Sequence, residues 1–291
     1  VDDYSWGNYL ALHPLYIILN PEREADMLQS YVRMYQESGW MPDYPKHFGD
    51  REGMLGFHSS IMFLDAYRKG VRNFDVNKAL EGMLKSAEQA IMLPSRNGPK
   101  SGLEDFFNKK GYYPSLRPEE PETDTTVLGK RGRRRGSTVS ITLLNSYDSW
   151  AVSELAREIG NSTVADRFAP KAKNYVNVWN AESGFFLPKD ANGNWIEVDP
   201  KFTNGAYYNE NNGYSYLWYV QHDVEGLISL MGGLNSFEQR LDKYFVEPLE
   251  RSKFEFLREF GCMTGLIGQF AMGNQITFSN PYLYNYTGSP W

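Results

Sequence analysis

The segment NPEREADMLQSYVRMYQESG, residues 20–39, decides the fold class because it carries a complete helix signal. Asn20 is a suitable N-cap, and Pro21 fits the first position of a helix. Apolar side chains then recur at helical spacing, at Ala25, Leu28, Val32 and Tyr35, before Gly39, which is a natural stop. The segment therefore predicts an amphipathic helix with one face against a core.

Similar signals recur along most of the chain, whereas strand signals are few. We expect further helices over about residues 59–69, from Asp75, and over 140–160, 164–179 and 222–231. Ser236 with Gln239 resembles a capping box and predicts another helix that continues through Phe245. Helices joined by irregular loops favour an all-α bundle or a ring of helical hairpins. No clear internal repeat distinguishes the two.

The region from about residue 93 to 136 breaks this pattern. Proline, glycine and charge dominate it, and it includes the basic run KRGRRR at residues 130–135. A basic run can bind phosphate or serve as a processing site, but this one lacks interleaved aromatic residues and the chain is acidic overall. We predict an exposed loop over about 93–136.

Composition excludes several classes of function. The formal net charge of −6 argues against nucleic acid as the main partner, and no apolar run is long enough to span a membrane. Cys262 is the single cysteine, in an apolar setting that favours a buried structural thiol. The four histidines lack zinc-ligand spacing. An aromatic content of 15% leans toward a carbohydrate or other planar ligand.

The chemistry centres on NENNGYSYLWYVQHD, residues 209–223, where Glu210 lies among amides and aromatic rings. A carboxyl group beside apolar surface can have a raised pKa and act as a general acid. The residues alone favour a plainer interpretation, a polar loop ahead of a helix. Asp223 and Asp148 are possible partner carboxylates, but an N-cap and a helix-surface residue are the favoured interpretations. Asn274 and Gln275 offer oxygens that calcium accepts, although a turn is the default expectation.

Short motifs in a fixed order resemble the α-mannosidases of glycoside hydrolase family 92 over nearly the whole chain. These motifs are residues 6–15, GWMP at 39–42, GFH at 56–58, DAY at 65–67, SITL at 140–143, YDSW at 147–150, GFF at 184–186, DANGNW at 190–195, residues 210–223 and PYLYNY at 281–286. Each motif is weak alone, whereas their shared order and spacing are specific.

The resemblance implies an all-α domain of the (α/α)6 toroid type, incomplete in this chain. Residues 1–291 would be part of a catalytic domain that a β-sandwich normally precedes, with the family's base-carrying segment beyond Trp291. Calcium and an inverting reaction on α-mannosides are implied, as are a glycan or small carbohydrate substrate and a secreted or periplasmic location. Glu210 matches the family's general acid, and Asn274 and Gln275 match its metal site. The substrate-binding candidates are Trp6, His58, Asn212, Tyr216 and His222.

Several positions depart from the family pattern. Apolar residues replace charged or polar groups at Leu10, Phe57, Leu144 and Phe278, and Gln275 replaces a glutamate. Each lost charge-assisted hydrogen bond to a sugar would cost about 1.5–3 kcal/mol. Enzyme activity is therefore left open. The alternatives are a non-catalytic glycan-binding or structural domain and a related glycosidase with altered sugar specificity.

Overall fold

The structure is a computed structural model that describes residues 3–50, 54–90, 102–125, 135–202 and 206–290. Its α-helices are Ser5–Asn8, Leu12–Leu19, Pro21–Ser38, Ser59–Arg68, Val76–Gln89, Gly102–Lys110, Thr138–Glu158, Ser162–Phe168, Gly213–Tyr216, Val224–Leu230, Leu234–Val246 and Lys253–Glu259. The 3-10 helices are Lys171–Val178, Gln275–Thr277 and Asn280–Tyr286. The two-residue strands form antiparallel pairs, Pro45–Lys46 with Gly49–Asp50, Trp179–Asn180 with Phe185–Phe186, and Leu266–Ile267 with Phe270–Ala271. The predicted all-α class is confirmed.

The helix ends follow the local signals where side chains cap the backbone. The Asn20 side chain accepts a hydrogen bond from the Arg23 backbone N–H at 3.1 Å, and Gly39 ends the helix in the left-handed region at φ 78°. The Asp75 side chain caps the next predicted helix by accepting from the Lys78 N–H at 2.9 Å. Each cap satisfies a donor that the first helical turn leaves unpaired.

Two helix predictions need correction. The helix expected over 164–179 stops at Phe168, and a 3-10 helix follows Pro170, whose ring cannot continue an α-helix. The capping box predicted at Ser236 is wrong, because that helix already begins at Leu234 after Gly233. A capping box does form at Ser252 and Glu255, where side chain and backbone bond reciprocally.

The exposed loop predicted over 93–136 is also partly wrong. A helix, Gly102–Lys110, lies within it, and Leu103 and Phe107 are buried on one face. These two apolar residues are four apart, so they share a helix face inside a segment whose charge hides the signal. Of the basic run 130–135, Arg135 alone is described, and its guanidinium pairs with Glu122 at 2.6 Å. Residues 130–134 lie outside the described part of the chain.

The chain divides into two compact units. The first contains Val1–Gly111, Asp124–Arg133 and Leu144–Asn174, and the second contains Tyr112–Thr123, Arg134–Leu143 and Tyr175–Trp291. In the second unit a separate apolar cluster packs around Phe256, Phe260, Met263 and Ala271. Within the described ranges, no helix is both long and apolar enough to cross a bilayer. That residues 1–291 form part of one catalytic domain stays a prediction.

The first unit buries a histidine between two carboxylates. The His13 ring lies 2.8 Å from Glu24 through Nδ1 and 3.0 Å from Asp3 through Nε2, and the Tyr31 hydroxyl donates to Asp3 at 2.9 Å. Burial opposes the charged ring, but hydrogen bonds and charges from Asp3 and Glu24 outweigh it and raise the pKa of His13 to about 9. Burial likewise opposes the charged form of Asp3, yet its bonds with His13 hold that pKa at about 2. The imidazolium therefore ties the N-terminal segment to the helix Pro21–Ser38.

Candidate active site

Glu210 lies in the left-handed region of backbone conformation, with φ 57°. This region suits glycine, and a residue with a side chain held there costs on the order of 1–3 kcal/mol. Among the described residues it shares this feature with Ser137 and Glu250. The second unit therefore holds Glu210 in a conformation that the residue does not prefer.

A network of buried amide side chains constrains the backbone around Glu210. The Asn211 amide donates to Asn274 Oδ1 at 3.2 Å, and Asn211 Oδ1 accepts from the Asn212 N–H at 2.8 Å. The Asn212 amide donates to Gln269 Oε1 at 3.0 Å, while its own oxygen caps the helix Gly213–Tyr216. Because these amides are buried and bonded to one another, moving Glu210 would leave donors and acceptors unpaired.

The carboxyl group of Glu210 is half-buried, and burial raises its pKa. A hydrogen bond from Asn274 Nδ2 to Glu210 Oε2 at 3.5 Å opposes this by favouring the charged form. The net direction is upward, so a larger fraction of Glu210 carries its proton near neutral pH than for a free glutamate. This is the property that a general acid needs.

Tyr216 and Asn212 hold the loop that carries Glu210 in place. The buried Tyr216 hydroxyl donates to the Asn209 carbonyl at 3.0 Å, and its ring stacks on Tyr208 with centroids 5.9 Å apart. Tyr216 and Asn212 are both 0% exposed. In this arrangement both position the loop, and their predicted contact with substrate stays a prediction.

His222 and Asp223 follow on the same segment. His222 is half-buried, and the Tyr175 ring meets it edge-on with centroids 5.7 Å apart. Asp223 caps the helix Val224–Leu230 by accepting from the Gly226 N–H at 3.2 Å, and it also accepts from the Tyr175 hydroxyl. The interpretation of Asp223 as an N-cap is confirmed. A substrate contact for His222 stays a prediction.

Trp6 and His58 lie in the first unit and are buried there. Their rings stack with centroids 5.8 Å apart, and His58 Nδ1 lies 2.9 Å from Asp148 Oδ1. Trp6 is 2% exposed and His58 is 0% exposed, so neither offers surface to a ligand in this arrangement. Their proposed contact with sugar stays a prediction.

Asp148 anchors the segment that carries His58. Its carboxylate accepts from the Phe57 N–H at 2.9 Å and the Ser60 hydroxyl at 2.8 Å, in addition to its contact with His58. It is 0% exposed, so the expectation of a helix-surface residue is wrong. A carboxylate that is buried and bonded in this way is a structural anchor and is poorly placed to activate water.

The predicted calcium ligands do not form a calcium site as they are arranged. Asn274 Oδ1 accepts from Asn211, and the Asn274 carbonyl accepts from both the N–H and the hydroxyl of Thr277, at 3.1 and 2.9 Å. Gln275 is half-buried and brings one side-chain oxygen, whereas calcium takes 6–8 oxygens, usually with several carboxylates. No cluster of three or more acidic, histidine or cysteine side chains suited to a metal occurs among the described residues.

Cys262 departs from its prediction. The thiol is exposed at a turn between buried Phe260 and Met263, so the expectation of a buried structural cysteine is wrong. Partial burial and then the charge of Glu210 raise the pKa of the Cys262 thiol. The two side chains are therefore close enough to interact electrostatically.

The sequence did not identify the whole amide network. In the sequence, Asn211 stands out only because it follows Glu210. The adjacent asparagines Asn211 and Asn212 are the one local sign of an amide network at this loop. Gln269 carried no local signal, because its contact with Asn212 joins residues 57 positions apart. Long-range amide pairs of this kind leave no periodicity in a single sequence.

Comparison with known proteins gives a consistent result. The family model described as the glycosyl hydrolase family 92 catalytic domain matches residues 1–291. A solved family 92 inverting mannosidase from Bacteroides thetaiotaomicron is 32% identical, with a TM-score of 0.80 over 99% of this chain and 37% of its own. A family 92 α-mannosidase from the same organism, in complex with mannoimidazole, is 24% identical with a TM-score of 0.81, over 98% of this chain and 35% of its own, and shows the fold.

A curated relative, an uncharacterized secreted glycosidase from Arthroderma benhamiae, is 25% identical over 97% of this chain and 35% of its own length. The chain thus spans about a third of the length of these relatives. The likeness agrees with the predicted all-α class and with a helical domain of the (α/α)6 type.

Proposed function

We propose that this chain, which belongs to glycosyl hydrolase family 92, is part of an enzyme that hydrolyses α-mannosidic linkages, with Glu210 as general acid. The observation that carries the proposal is the state of Glu210. Its carboxyl group is half-buried with a raised pKa, on a strained backbone that buried amides hold in place. The likeness to solved family 92 mannosidases supports mannose as the sugar.

In the proposed reaction the protonated Glu210 gives its proton to the glycosidic oxygen as the bond to the anomeric carbon breaks. Asn274 then stabilises the carboxylate that remains, because its N–H favours the charged form. A second carboxylate would activate water on the opposite face of the sugar, which inverts the anomeric centre. We assign no described residue to that base, since Asp148 and Asp223 are both engaged in structural hydrogen bonds.

The decisive experiment compares the full-length protein with its Glu210→Gln variant. On mannobiose we expect the variant to lose about 10²–10⁴-fold in kcat, because a poor leaving group needs a proton. On 2,4-dinitrophenyl α-mannoside the loss should be far smaller. Glu225→Gln, the same change on an exposed residue of a neighbouring helix, should leave both rates unchanged. Equal mannobiose rates for wild type and Glu210→Gln would remove Glu210 as the acid.

The stereochemical course is tested separately. Proton NMR of the first product should show β-mannose if the enzyme inverts, before mutarotation mixes the anomers. Initial release of α-mannose would contradict inversion while leaving the role of Glu210 intact.

Calcium dependence and secretion complete the proposal. We expect dialysis of the full-length protein against EGTA to lower its activity and added calcium to restore it. An unchanged rate after dialysis would exclude calcium, in agreement with the poor fit of Asn274. Secretion is supported by the secreted curated relative, and fractionation of the source cells tests it.

A second candidate function is glycan binding without turnover. Leu10, where the family has a charged residue, lines a pocket of about 280 Å³ in the first unit together with Tyr9 and Trp150. The apolar residues suit the face of a sugar ring, and Asp65, Arg68 and Lys69 of the same lining carry groups that can hydrogen-bond to its hydroxyls. Calorimetry with mannobiose separates the two functions, because binding by wild type without hydrolysis supports this second candidate.

A further inference from the structure

A pocket of about 290 Å³ in the second unit has a lining unlike that of the Glu210 loop. Its lining includes the cations Arg240 and Lys243, the rings of Phe185 and Tyr214, and the buried Trp218. No residue of this lining is acidic. In a chain with a formal net charge of −6, a pocket with two cations and no acid is a local reversal of charge.

Arg240 is the central cation. One of its N–H groups donates to the Gly184 carbonyl at 2.6 Å, and its guanidinium lies over the Phe185 ring, 5.1 Å from the centroid. Among the residues that the structure describes, no carboxylate forms an ion pair with Arg240. A guanidinium has five N–H donors, so most of them remain available to a ligand. Burial of the guanidinium lowers the pKa of Arg240.

Gly184 makes room for this guanidinium. Its backbone has φ 69°, and a Cβ built on it would lie 2.2 Å from Arg240 Nη1. Any other residue at position 184 would push the guanidinium away from the backbone. The glycine therefore fixes the direction in which Arg240 faces the pocket.

Glu247, which contacts Lys243 at the pocket, is shared between two lysines. Glu247 is held by Lys201 at 2.7 Å and lies 3.4 Å from Lys243. Lys201 also pairs with Glu250 at 2.7 Å. Lys243 is thus only loosely paired and largely exposed, while Arg240 has no acidic partner within the described ranges. The two cations of the lining favour an anion.

The aromatic wall adds a second kind of recognition. The rings of Phe185 and Tyr214 are both half-buried, with centroids 4.9 Å apart and planes tilted by 59°, and they form an angled apolar surface beside the cations. The lining therefore combines a ring platform with hydrogen-bond donors, which matches a sugar ring that carries an anionic group.

We propose that this pocket binds a monosaccharide unit bearing a carboxylate or a phosphate, apart from the Glu210 site. The ring of the ligand packs on Phe185 and Tyr214. Its anionic group accepts hydrogen bonds from Arg240, with Lys243 adding charge at the rim. Two oxygens of either anion match the planar fork of the guanidinium. The proposal does not depend on Glu210 or on hydrolysis.

The test uses probes of the glucose series, so that a mannose site does not contribute. Calorimetry on the full-length protein compares glucuronate, glucose 6-phosphate, inorganic phosphate and methyl α-glucoside at low ionic strength. We expect measurable binding of at least one anionic sugar and at least tenfold weaker binding of methyl α-glucoside. Which anionic sugar binds more tightly identifies the anion as carboxylate or phosphate.

Three variants decide the assignment. Arg240→Gln should weaken binding of the anionic sugar at least tenfold, and Lys243→Gln, on an exposed side chain, should weaken it about threefold. Glu210→Gln should bind the anionic sugar as wild type does, which separates this proposal from the proposed hydrolysis. A thermal melt of each variant confirms that it is folded.

Four results would overturn the proposal. These are no binding of either anionic sugar, equal binding of the neutral sugar, inorganic phosphate binding as tightly as both sugars, or full affinity in both Arg240→Gln and Lys243→Gln. If Arg240→Gln fails to fold, the Lys243→Gln affinity and the loss of binding at high salt still decide the outcome.

Discussion

The two units treat their buried carboxylates in opposite ways. In the first unit, Asp148 is fully buried and accepts from three separate groups, and Asp3 is paired with a charged His13. In the second unit, Glu210 is half-buried with one hydrogen bond of 3.5 Å, from Asn274. The hydrogen bonds of the first unit hold the surrounding fold in place, and those of Asp3 lower its pKa, whereas burial raises the pKa of Glu210.

This difference separates the carboxylates that hold the fold together from the one proposed to act as a general acid. A carboxylate whose oxygens are all bonded cannot exchange a proton without breaking the structure around it. Glu210 can gain or lose its proton with little change in its contacts, while the amides beside it keep the backbone in place. Residues in the first class should therefore control stability, and residues in the second should control rate.

The largest effect should come from removing the most completely bonded carboxylate. Asp148→Ala leaves the Phe57 N–H, the Ser60 hydroxyl and His58 buried without their acceptor. We expect a loss of about 3–5 kcal/mol in the free energy of unfolding, measured by urea denaturation. Asp166→Ala, on an exposed helical position, should change stability by less than about 0.5 kcal/mol. Equal losses for the two variants would contradict the distinction.

The second effect is a pH dependence of stability. His13 has its folded pKa raised to about 9 from 6.5, so its contribution is fully present below pH 6.5 and is lost as the pH rises through 9. Asp3 has its pKa lowered to about 2 from 3.8, so its contribution is present above pH 3.8 and is lost toward pH 2. We expect stability to fall by up to about 3 kcal/mol between pH 6.5 and 9.

Chemical denaturation across this range measures the effect. His13→Gln should remove most of the slope, since the glutamine side chain carries no titrating charge. His47→Gln, at an exposed position, should retain the slope. A slope that survives in His13→Gln would show that another group is responsible.

A smaller effect is expected on the pKa of Glu210, the proposed general acid. Asn274→Ala removes the N–H that favours the charged form of Glu210, so the pKa of Glu210 should rise further. Because a general acid works when protonated, the alkaline limb of the pH profile of kcat should move to higher pH. Asn192→Ala, on an exposed turn, is the matched control. A limb that stays in place or moves to lower pH would contradict the role of Asn274.

The smallest expected effect is on thiol reactivity. Since partial burial and then the charge of Glu210 raise the pKa of Cys262, less thiolate is present at pH 8 than for a free cysteine. Iodoacetamide should therefore label Cys262 a few-fold more slowly than it labels a cysteine peptide. Glu210→Gln should restore part of the rate by removing the negative charge. An unchanged rate in that variant would place Glu210 too far away to act on the thiol.

The sequence predicted what local chemistry determines. Asn20, Pro21 and Gly39 mark a helix whose ends satisfy their own backbone, and the structure places that helix at Pro21–Ser38. The sequence-based prediction was wrong at the start of the helix Leu234–Val246. Ser236 has the right neighbours for a cap, yet Gly233 lets the chain turn earlier and the helix begins at Leu234.

In the candidate site, too, local signals were predicted from the sequence and long-range contacts were not. Glu210 was identified because the family motifs place it in order, but nothing local announces its positive φ or the amides that hold it. The pocket around Arg240 carried no motif at all, since it joins a hairpin, a short helix and a longer helix from distant parts of the sequence. Sites built from long-range contacts become visible only in three dimensions.

The left-handed backbone of Glu210 has a consequence for directed evolution. Glycine adopts φ 57° without strain, and asparagine does so more readily than glutamate, so either substitution should relieve part of the stored strain. A library screened only for thermal tolerance would then enrich Gly or Asn at position 210 and discard the acid. Selection for heat resistance should favour Gly or Asn at position 210, whereas selection for turnover should favour Glu.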